Sequence, residues 1–116
     1  MRIIAGERRG ARLKTMEGED TRPTLERVKE AMFSSIQFLW PGAAVLDLFA
    51  GSGQLGLEAL SRGAARCIFV DSSREAATVI KQNCREADLY EQSNVLTMDV
   101  AAFLTQSREK YDVILV

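Results

Sequence analysis

The chain has 116 residues, enough for one domain with a single core but short for a complete doubly wound sheet. Its formal net charge of −1 shows that the chain as a whole is not a polycation. It contains no histidine, which removes the commonest general base and excludes a histidine-ligated metal site. Two cysteines, no secretory leader and no apolar run of about 20 residues predict a reduced, cytoplasmic protein without a disulfide, a metal or a membrane span.

The first segment, residues 1–23, begins with a strongly basic stretch. Residues 3–6 and 11–14 flank a Glu-Arg-Arg-Gly turn, which predicts a β-hairpin with alternating faces. This hairpin either contacts the phosphates of a nucleic acid or is an ordinary solvated edge, and charge alone does not decide between them. Against a single acidic residue, the first fifteen positions carry five basic residues: Arg2, Arg8, Arg9, Arg12 and Lys14.

The second segment, residues 24–40, is predicted to be a helix with Thr24 as its N-cap. Its opposite faces differ in polarity. One face, with Arg27, Lys29 and Glu30, is predicted to be solvated. The other is predicted to pack on the core, because apolar residues recur there at helical spacing: Leu25, Val28, Met32, Ile36 and Leu39.

The third segment, residues 44–116, alternates apolar strand-like runs with helical patterns. The runs are residues 45–49, 67–71, 94–99 and 111–116, and the alternation predicts a parallel sheet with right-handed crossovers. Gly51 and Gly53 follow the first run and allow a sharp turn into a helix that ends at Gly63. Ser72 and Glu75 have the spacing of a capping box at the start of the next helix.

Three aspartates, Asp47, Asp71 and Asp99, come at the ends of predicted strands and therefore on one rim of the sheet. A ligand site is one interpretation of this rim. The other is that Asp71 and Asp99 only cap the helices that follow them.

The glycine turn fits two classes of cofactor. Gly51, Gly53 and Gly56 have the GxGxxG spacing of dinucleotide folds, with Asp71 about 20 residues further on. Asp47, however, would repel a pyrophosphate, whereas it would attract the ammonium and sulfonium of S-adenosylmethionine. The sequence therefore favours an S-adenosylmethionine site, and a dinucleotide-dependent oxidoreductase remains the alternative.

The run Val-Leu-Asp-Leu-Phe-Ala-Gly-Ser-Gly at 45–53, with Leu-Gly-Leu-Glu-Ala-Leu-Ser-Arg-Gly behind it, resembles the class I S-adenosylmethionine-dependent methyltransferases. Arg2-Ile-Ile-Ala-Gly6, Arg22-Pro-Thr24 and the run 27–33 extend the resemblance to the bacterial family that methylates the exocyclic N2 of a guanine in 16S ribosomal RNA. The resemblance implies a Rossmann-like α/β sheet with an amino-terminal hairpin and helix. The implied partner is ribosomal RNA or a partly assembled small subunit.

The resemblance also implies roles for individual residues. Asp47 and the backbone from Phe49 to Gly53 would hold the methionine end of the cofactor, Asp71 the ribose hydroxyls, and the remaining residues the adenine. The implied cofactor residues are Asp47, Phe49, Ala50, Gly51, Ser52, Gly53, Asp71, Ser72, Asp99 and Val100. The implied RNA-contacting residues are Arg2, Arg8, Arg9, Arg12 and Arg22.

Catalysis in that family uses an Asp/Asn-Pro-Pro-aromatic tetrapeptide after the fourth strand, which positions the amine and stacks on the base. The sequence ends at Val116, where the tetrapeptide would begin, so no catalytic residue is assigned. We expect these residues to be the cofactor-binding part of a longer protein, because Val113–Val116 would otherwise be an exposed apolar sheet edge. A binding module without catalytic activity is the third hypothesis.

Overall fold

A computed structural model describes residues 1–19 and 23–116, apart from the side chains of Pro23 and Thr24. The predicted roles of Arg22 and of Thr24 as an N-cap lie outside the described part. The helices and strands are α1 Pro23–Ser35, β1 Ala44–Leu48, α2 Gln54–Ser61, β2 Arg66–Asp71, α3 Arg74–Glu86, β3 Ser93–Thr97, α4 Val100–Gln106 and β4 Val113–Leu115.

The four strands form one parallel sheet, as predicted, and their order is β3-β2-β1-β4. The chain first builds the sheet outwards from β1 to β3, and then returns to place β4 on the other side of β1. The direction of winding therefore changes between β1 and β4. In open α/β sheets, ligands bind outside the carboxyl ends of the strands at such a switch point.

Two buried apolar clusters lie on the two sides of this sheet. Val45, Cys67 and Phe69 belong to one cluster, which includes residues of α2 and α3. Their neighbours Leu46, Ile68 and Val70 belong to the other, which includes residues of α4. Because alternate residues of β1 and β2 enter different clusters, both faces of these strands are covered, as their continuous apolar runs predict.

The amino-terminal hairpin forms as a short antiparallel pairing. Arg2 pairs with Arg12, and the Ile3 N–H donates to the Ala11 carbonyl at 2.9 Å. Ile3 and Leu13 are buried in the core, whereas Arg12 and Lys14 are exposed. The alternation predicted for the second arm is therefore confirmed.

The prediction that the apolar stripe of α1 packs on the core is wrong. All five residues of the apolar stripe are exposed by 38–59%: Leu25, Val28, Met32, Ile36 and Leu39. The helix instead buries Lys29, which faces Glu58 on α2, and Phe33, which stacks on Trp40 at 4.6 Å. The orientation of α1 is set by this distant ion pair and aromatic stack, and the helix ends at Ser35 rather than near residue 40.

The N-cap predicted for α3 is also wrong, by one residue. Ser73, not Ser72, precedes the helix, and its side chain accepts the Ala76 N–H at 3.2 Å. The reason is that Asp71 accepts the Ser73 N–H at 2.9 Å. This hydrogen bond holds Ser73 outside the helix, so α3 begins one residue later than predicted. Ser72 is exposed.

Ile114 in the edge strand β4 and Val116 just after it are more than half exposed. This confirms the apolar edge expected from the sequence. In the described residues, no helix is both long enough and apolar enough to span a membrane.

Candidate cofactor site

The candidate site is the turn between β1 and α2, which we call the glycine loop (residues 49–53). Phe49, Gly51 and Gly53 all have left-handed backbone conformations, with φ of 56°, 59° and 82°. Glycine adopts this region freely, but a bulky residue such as Phe49 does so only under strain, which is typical of functional sites. The Phe49 side chain is exposed at the rim of the sheet.

The third glycine of the motif has a packing role. A Cβ at Gly56 would lie 2.3 Å from the Phe69 ring and 2.7 Å from the Cys67 sulfur. Such contacts are too short for carbon atoms, so glycine is needed for α2 to pack this closely on the sheet. The close packing brings the first turn of α2 over the end of β1.

Asp47 supports the glycine loop from below. Its side chain is only 2% exposed, and its Oδ2 accepts the N–H of Gly56 at 3.0 Å. The pKa of Asp47 is raised to about 7, mainly by burial and to a lesser extent by the nearby Asp71 charge, while the Gly56 hydrogen bond partly opposes the rise. The carboxylate therefore joins the end of β1 to the first turn of α2, and lies beneath the loop.

Asp71 holds the loop from the neighbouring strand. Its Oδ2 accepts the Gly51 N–H at 3.0 Å, and its Oδ1 accepts the Ser73 N–H at 2.9 Å. The side chain is only partly buried, so it is accessible from the rim. Asp47 and Asp71 are thus brought together around the glycine loop, as the sequence predicts.

Asp99 lies at the end of the next strand along the sheet and caps α4, where it accepts the Ala102 N–H at 3.0 Å. Its side chain is exposed, and the following residue, Val100, is buried. Asp99 therefore caps α4, and whether it also contacts a ligand is a separate question. Its implied contact with adenine stays a prediction, as does that of Ser72.

A third carboxylate at the loop was not found from the sequence. The two oxygens of Glu19 accept the Ser52 N–H at 3.2 Å and the Ser52 hydroxyl at 2.7 Å. Glu19 lies in an acidic loop tip far from the glycine motif along the chain, and no sequence pattern links the two. Three N–H groups, from Gly51, Ser52 and Gly56, are therefore bound by three different carboxylates.

Asn83 on α3 joins the amino-terminal segment to the loop. Its amide donates to the carbonyls of Ser52 and Lys14, both at 2.9 Å, and its oxygen accepts the Lys14 N–H at 2.7 Å. Asn83 is fully buried. The signal for this residue was a polar side chain on the inner face of α3, in line with Ala76, Ile80 and Ala87.

Glu58 on α2 binds the other end of the amino-terminal segment. It accepts the N–H groups of Ile4 at 2.9 Å and Ala5 at 3.1 Å, and it pairs with Arg62 and Lys29 at 2.9 and 3.4 Å. Burial lowers the pKa of Lys29, and the Glu58 charge partly opposes this. In the sequence, the available sign of a structural role for Glu58 was its place as an acidic residue between Leu57 and Ala59 in an apolar helix.

The four predicted RNA-contacting arginines that the structure describes do not form one cluster. Arg8 pairs with Asp88 at 2.8 Å. Asp88 precedes β3, so this ion pair lies at the end of the sheet where the strands begin, opposite to the glycine loop. Arg2 pairs with Glu26 in the first turn of α1 at 2.9 Å, while Arg9 and Arg12 are exposed.

The chain matches one family over its whole length, residues 1–116: conserved hypothetical protein 95. The chain belongs to that family. Ribosomal RNA small subunit methyltransferase D of Escherichia coli is 34% identical over 116 residues, which are 100% of this chain and 58% of that protein. YlbH of Bacillus subtilis, described as a candidate rRNA methyltransferase, is 46% identical over 99 residues, 85% of this chain and 54% of that protein.

A solved structure agrees with this family membership. Escherichia coli yhhF, described as a candidate methyltransferase, has a TM-score of 0.88 to this chain at 34% identity, covering 98% of this chain and 61% of that one. The expected class I methyltransferase fold is therefore confirmed, and S-adenosyl-L-methionine is the cofactor that this fold and family imply. The chain spans only 54–61% of the length of these relatives.

The carboxyl groups around the loop fit this cofactor. Glu19, Asp47 and Asp71 all direct carboxylate oxygens at the loop backbone, so the local field favours a cation. Among the residues that the structure describes, no group of three or more acids and cysteines is arranged to hold a metal ion.

Proposed function

We propose that this chain is the cofactor-binding part of a methyltransferase that transfers a methyl group to the exocyclic N2 of a guanine in 16S ribosomal RNA. The observation that carries the proposal is the glycine loop at the switch point of the sheet, bound by three carboxylates. The small-subunit rRNA substrate is supported by the name of the Escherichia coli relative, which covers the whole chain.

The residues around the loop have distinct parts in this proposal. Asp71 receives the ribose hydroxyls, since its two oxygens lie at the rim and a carboxylate can accept two hydrogen bonds at once. The backbone of Phe49 to Gly53 holds the methionine end, and Asp99, Val100 and Ser72 contact the adenine. When bound, S-adenosylmethionine supplies an electrophilic methyl group on a positively charged sulfur.

Asp47 acts through the loop in this proposal. Its position beneath the first turn of α2 fixes the backbone that receives the cofactor. Because its pKa is raised to about 7, a cation arriving above the loop would favour its ionised form. Asp47 therefore contributes both the shape of the loop and a negative charge that responds to the ligand.

The same geometry argues against a dinucleotide cofactor. Glycine-rich loops bind a pyrophosphate through free backbone N–H groups at the start of a helix. Here three N–H groups of the loop and first turn, those of Gly51, Ser52 and Gly56, already donate to carboxylates. A diphosphate at this position would meet the carboxyl groups of Glu19, Asp47 and Asp71 instead of three free donors.

The cofactor half of the proposal is tested by calorimetry with S-adenosylhomocysteine, using Asp71→Ala. Loss of a charge-assisted hydrogen bond costs about 1.5–3 kcal/mol, so we expect affinity to fall by at least tenfold. Asp88→Ala is the matched control, since this carboxylate lies at the opposite edge of the sheet and should leave affinity unchanged. Equal affinities for Asp71→Ala and the control would exclude Asp71 from the site.

The substrate half is tested by methyl transfer from labelled cofactor, using the full natural protein that contains this chain. Undermethylated 16S rRNA, free and in partly assembled subunits, is the substrate, and the labelled nucleoside is identified by mass spectrometry. We expect N2-methylguanosine. Label in another nucleoside would contradict the proposed position, and cofactor binding without transfer would favour the binding module.

A further inference from the structure

The segment from Lys14 to Glu19 reaches the glycine loop at Ser52, which is bound both by Glu19 and by Asn83 of α3. Ser52 is fully buried, and Glu19 accepts both its N–H and its hydroxyl, at 3.2 and 2.7 Å. The Ser52 carbonyl accepts the Asn83 amide at 2.9 Å. Every polar group of Ser52 thus has a partner, and its side chain fixes the orientation of the Glu19 carboxylate.

Asn83 also fixes the start of this segment. It makes two hydrogen bonds to the backbone of Lys14, so the chain is anchored five residues before Glu19 reaches the loop. Glu19 lies very close to the loop backbone, because a Cβ at Gly51 would be 3.0 Å from its Oε2. Glycine at this position therefore makes room for the carboxylate as well as for the turn.

Within residues 1–19 and 23–116, the Glu19 carboxylate is bound by Ser52 and keeps further acceptor capacity. Two oxygens offer about four acceptor positions, of which Ser52 uses two, and the side chain is only partly buried. A negative charge at this point attracts an ammonium group and repels a carboxylate. An amino acid binding above the loop would therefore be oriented with its ammonium group towards Glu19.

We infer that Glu19, positioned by Ser52, is a further ligand-contacting residue that receives the α-ammonium group at the methionine end of the methyl donor. The inference rests on the proposed cofactor site and adds a residue from outside the glycine motif. It also gives the amino-terminal segment a part in the cofactor site, since Asn83 anchors this segment at Lys14, five residues before Glu19.

The test compares two ligands by calorimetry: S-adenosylhomocysteine and 5′-methylthioadenosine, which lacks the amino-acid end. Glu19→Gln keeps the size and an acceptor for Ser52 but removes the charge. We expect it to weaken S-adenosylhomocysteine binding by about tenfold or more and to leave methylthioadenosine binding unchanged. Glu17→Gln, an exposed acid in the same loop tip, should change neither affinity.

Other results would overturn the inference in distinguishable ways. Unchanged S-adenosylhomocysteine affinity would remove Glu19 from the site, and tighter binding would show that its carboxylate competes with the ligand for Ser52. A parallel loss for both ligands would show that Glu19 only stabilises the loop. If the unmodified protein bound neither ligand, the proposed cofactor site itself would be wrong.

Discussion

Asp47 and Glu58 are both buried carboxylates that accept backbone N–H groups, yet their surroundings differ. Glu58 accepts two N–H groups and lies beside two cations, Lys29 and Arg62. Asp47 accepts one N–H, and within the described part of the chain no cation pairs with it. The charge of Glu58 is therefore compensated by cations where it joins three segments. Asp47 has no such compensation among the residues that the structure describes and lies at the glycine loop, where a cationic ligand could supply it.

The largest expected effect is at Glu58. Glu58→Leu would leave the Lys29 and Arg62 charges and the N–H groups of Ile4 and Ala5 buried without their acceptor. Removing one side of a buried ion pair costs about 3–5 kcal/mol, and we expect a loss of that size in the free energy of unfolding, measured with urea. Glu75→Leu, on the exposed face of α3, is the control. A loss below about 1 kcal/mol at Glu58 would contradict the account.

A pH-dependent effect of intermediate size is expected at Asp47. Its pKa is about 7 in the folded protein against an ordinary value of 3.8, so the folded state retains a proton that the unfolded state releases. Stability contributed by this group is therefore present at low pH and falls as the pH rises from about 4 to about 7. Between pH 5 and pH 7 the loss should be about 2 kcal/mol, and Asp47→Asn should remove this slope.

Urea unfolding at the two pH values measures the Asp47 slope directly. Asp88→Asn, at an exposed carboxylate that pairs with Arg8, serves as the control and should keep the slope of the unmodified protein. If Asp47→Asn keeps that slope as well, the proton is held elsewhere.

The smallest effect is expected at Lys29. Its ammonium group is penalised by burial, as its lowered pKa indicates, and Glu58 would keep Arg62 and two N–H donors without it. Lys29→Met preserves the buried stem and removes the charge, so we expect a change of about 1 kcal/mol or less in the free energy of unfolding. A loss as large as that of Glu58→Leu would show that Lys29, not Arg62, is the main partner.

The central part of the fold could be predicted because its signals are local. The apolar runs of β1 and β2, the glycine spacing and the acids at strand ends are all read within about 30 residues, and they predict the order of elements and the site. The contact of Asp71 with the glycine loop follows from the parallel register of adjacent strands.

The amino-terminal part could not be predicted in the same way, because its contacts are distant in sequence. The buried face of α1 depends on a pair between Lys29 and Glu58, which no periodicity reveals. The contact of Glu19 with Ser52 spans 33 positions, and those of Asn83 span 31 and 69. Polar residues at inward helix positions, Glu58 and Asn83, were the available signal, and each binds the amino-terminal segment.

The most direct test of the central claim is a calorimetric comparison of S-adenosylhomocysteine and NAD on the same purified protein. We expect S-adenosylhomocysteine to bind and NAD to show no competing affinity, because three carboxylates occupy the backbone donors around the loop. Tighter binding of NAD than of S-adenosylhomocysteine would contradict the assignment of this loop to a cationic methyl donor.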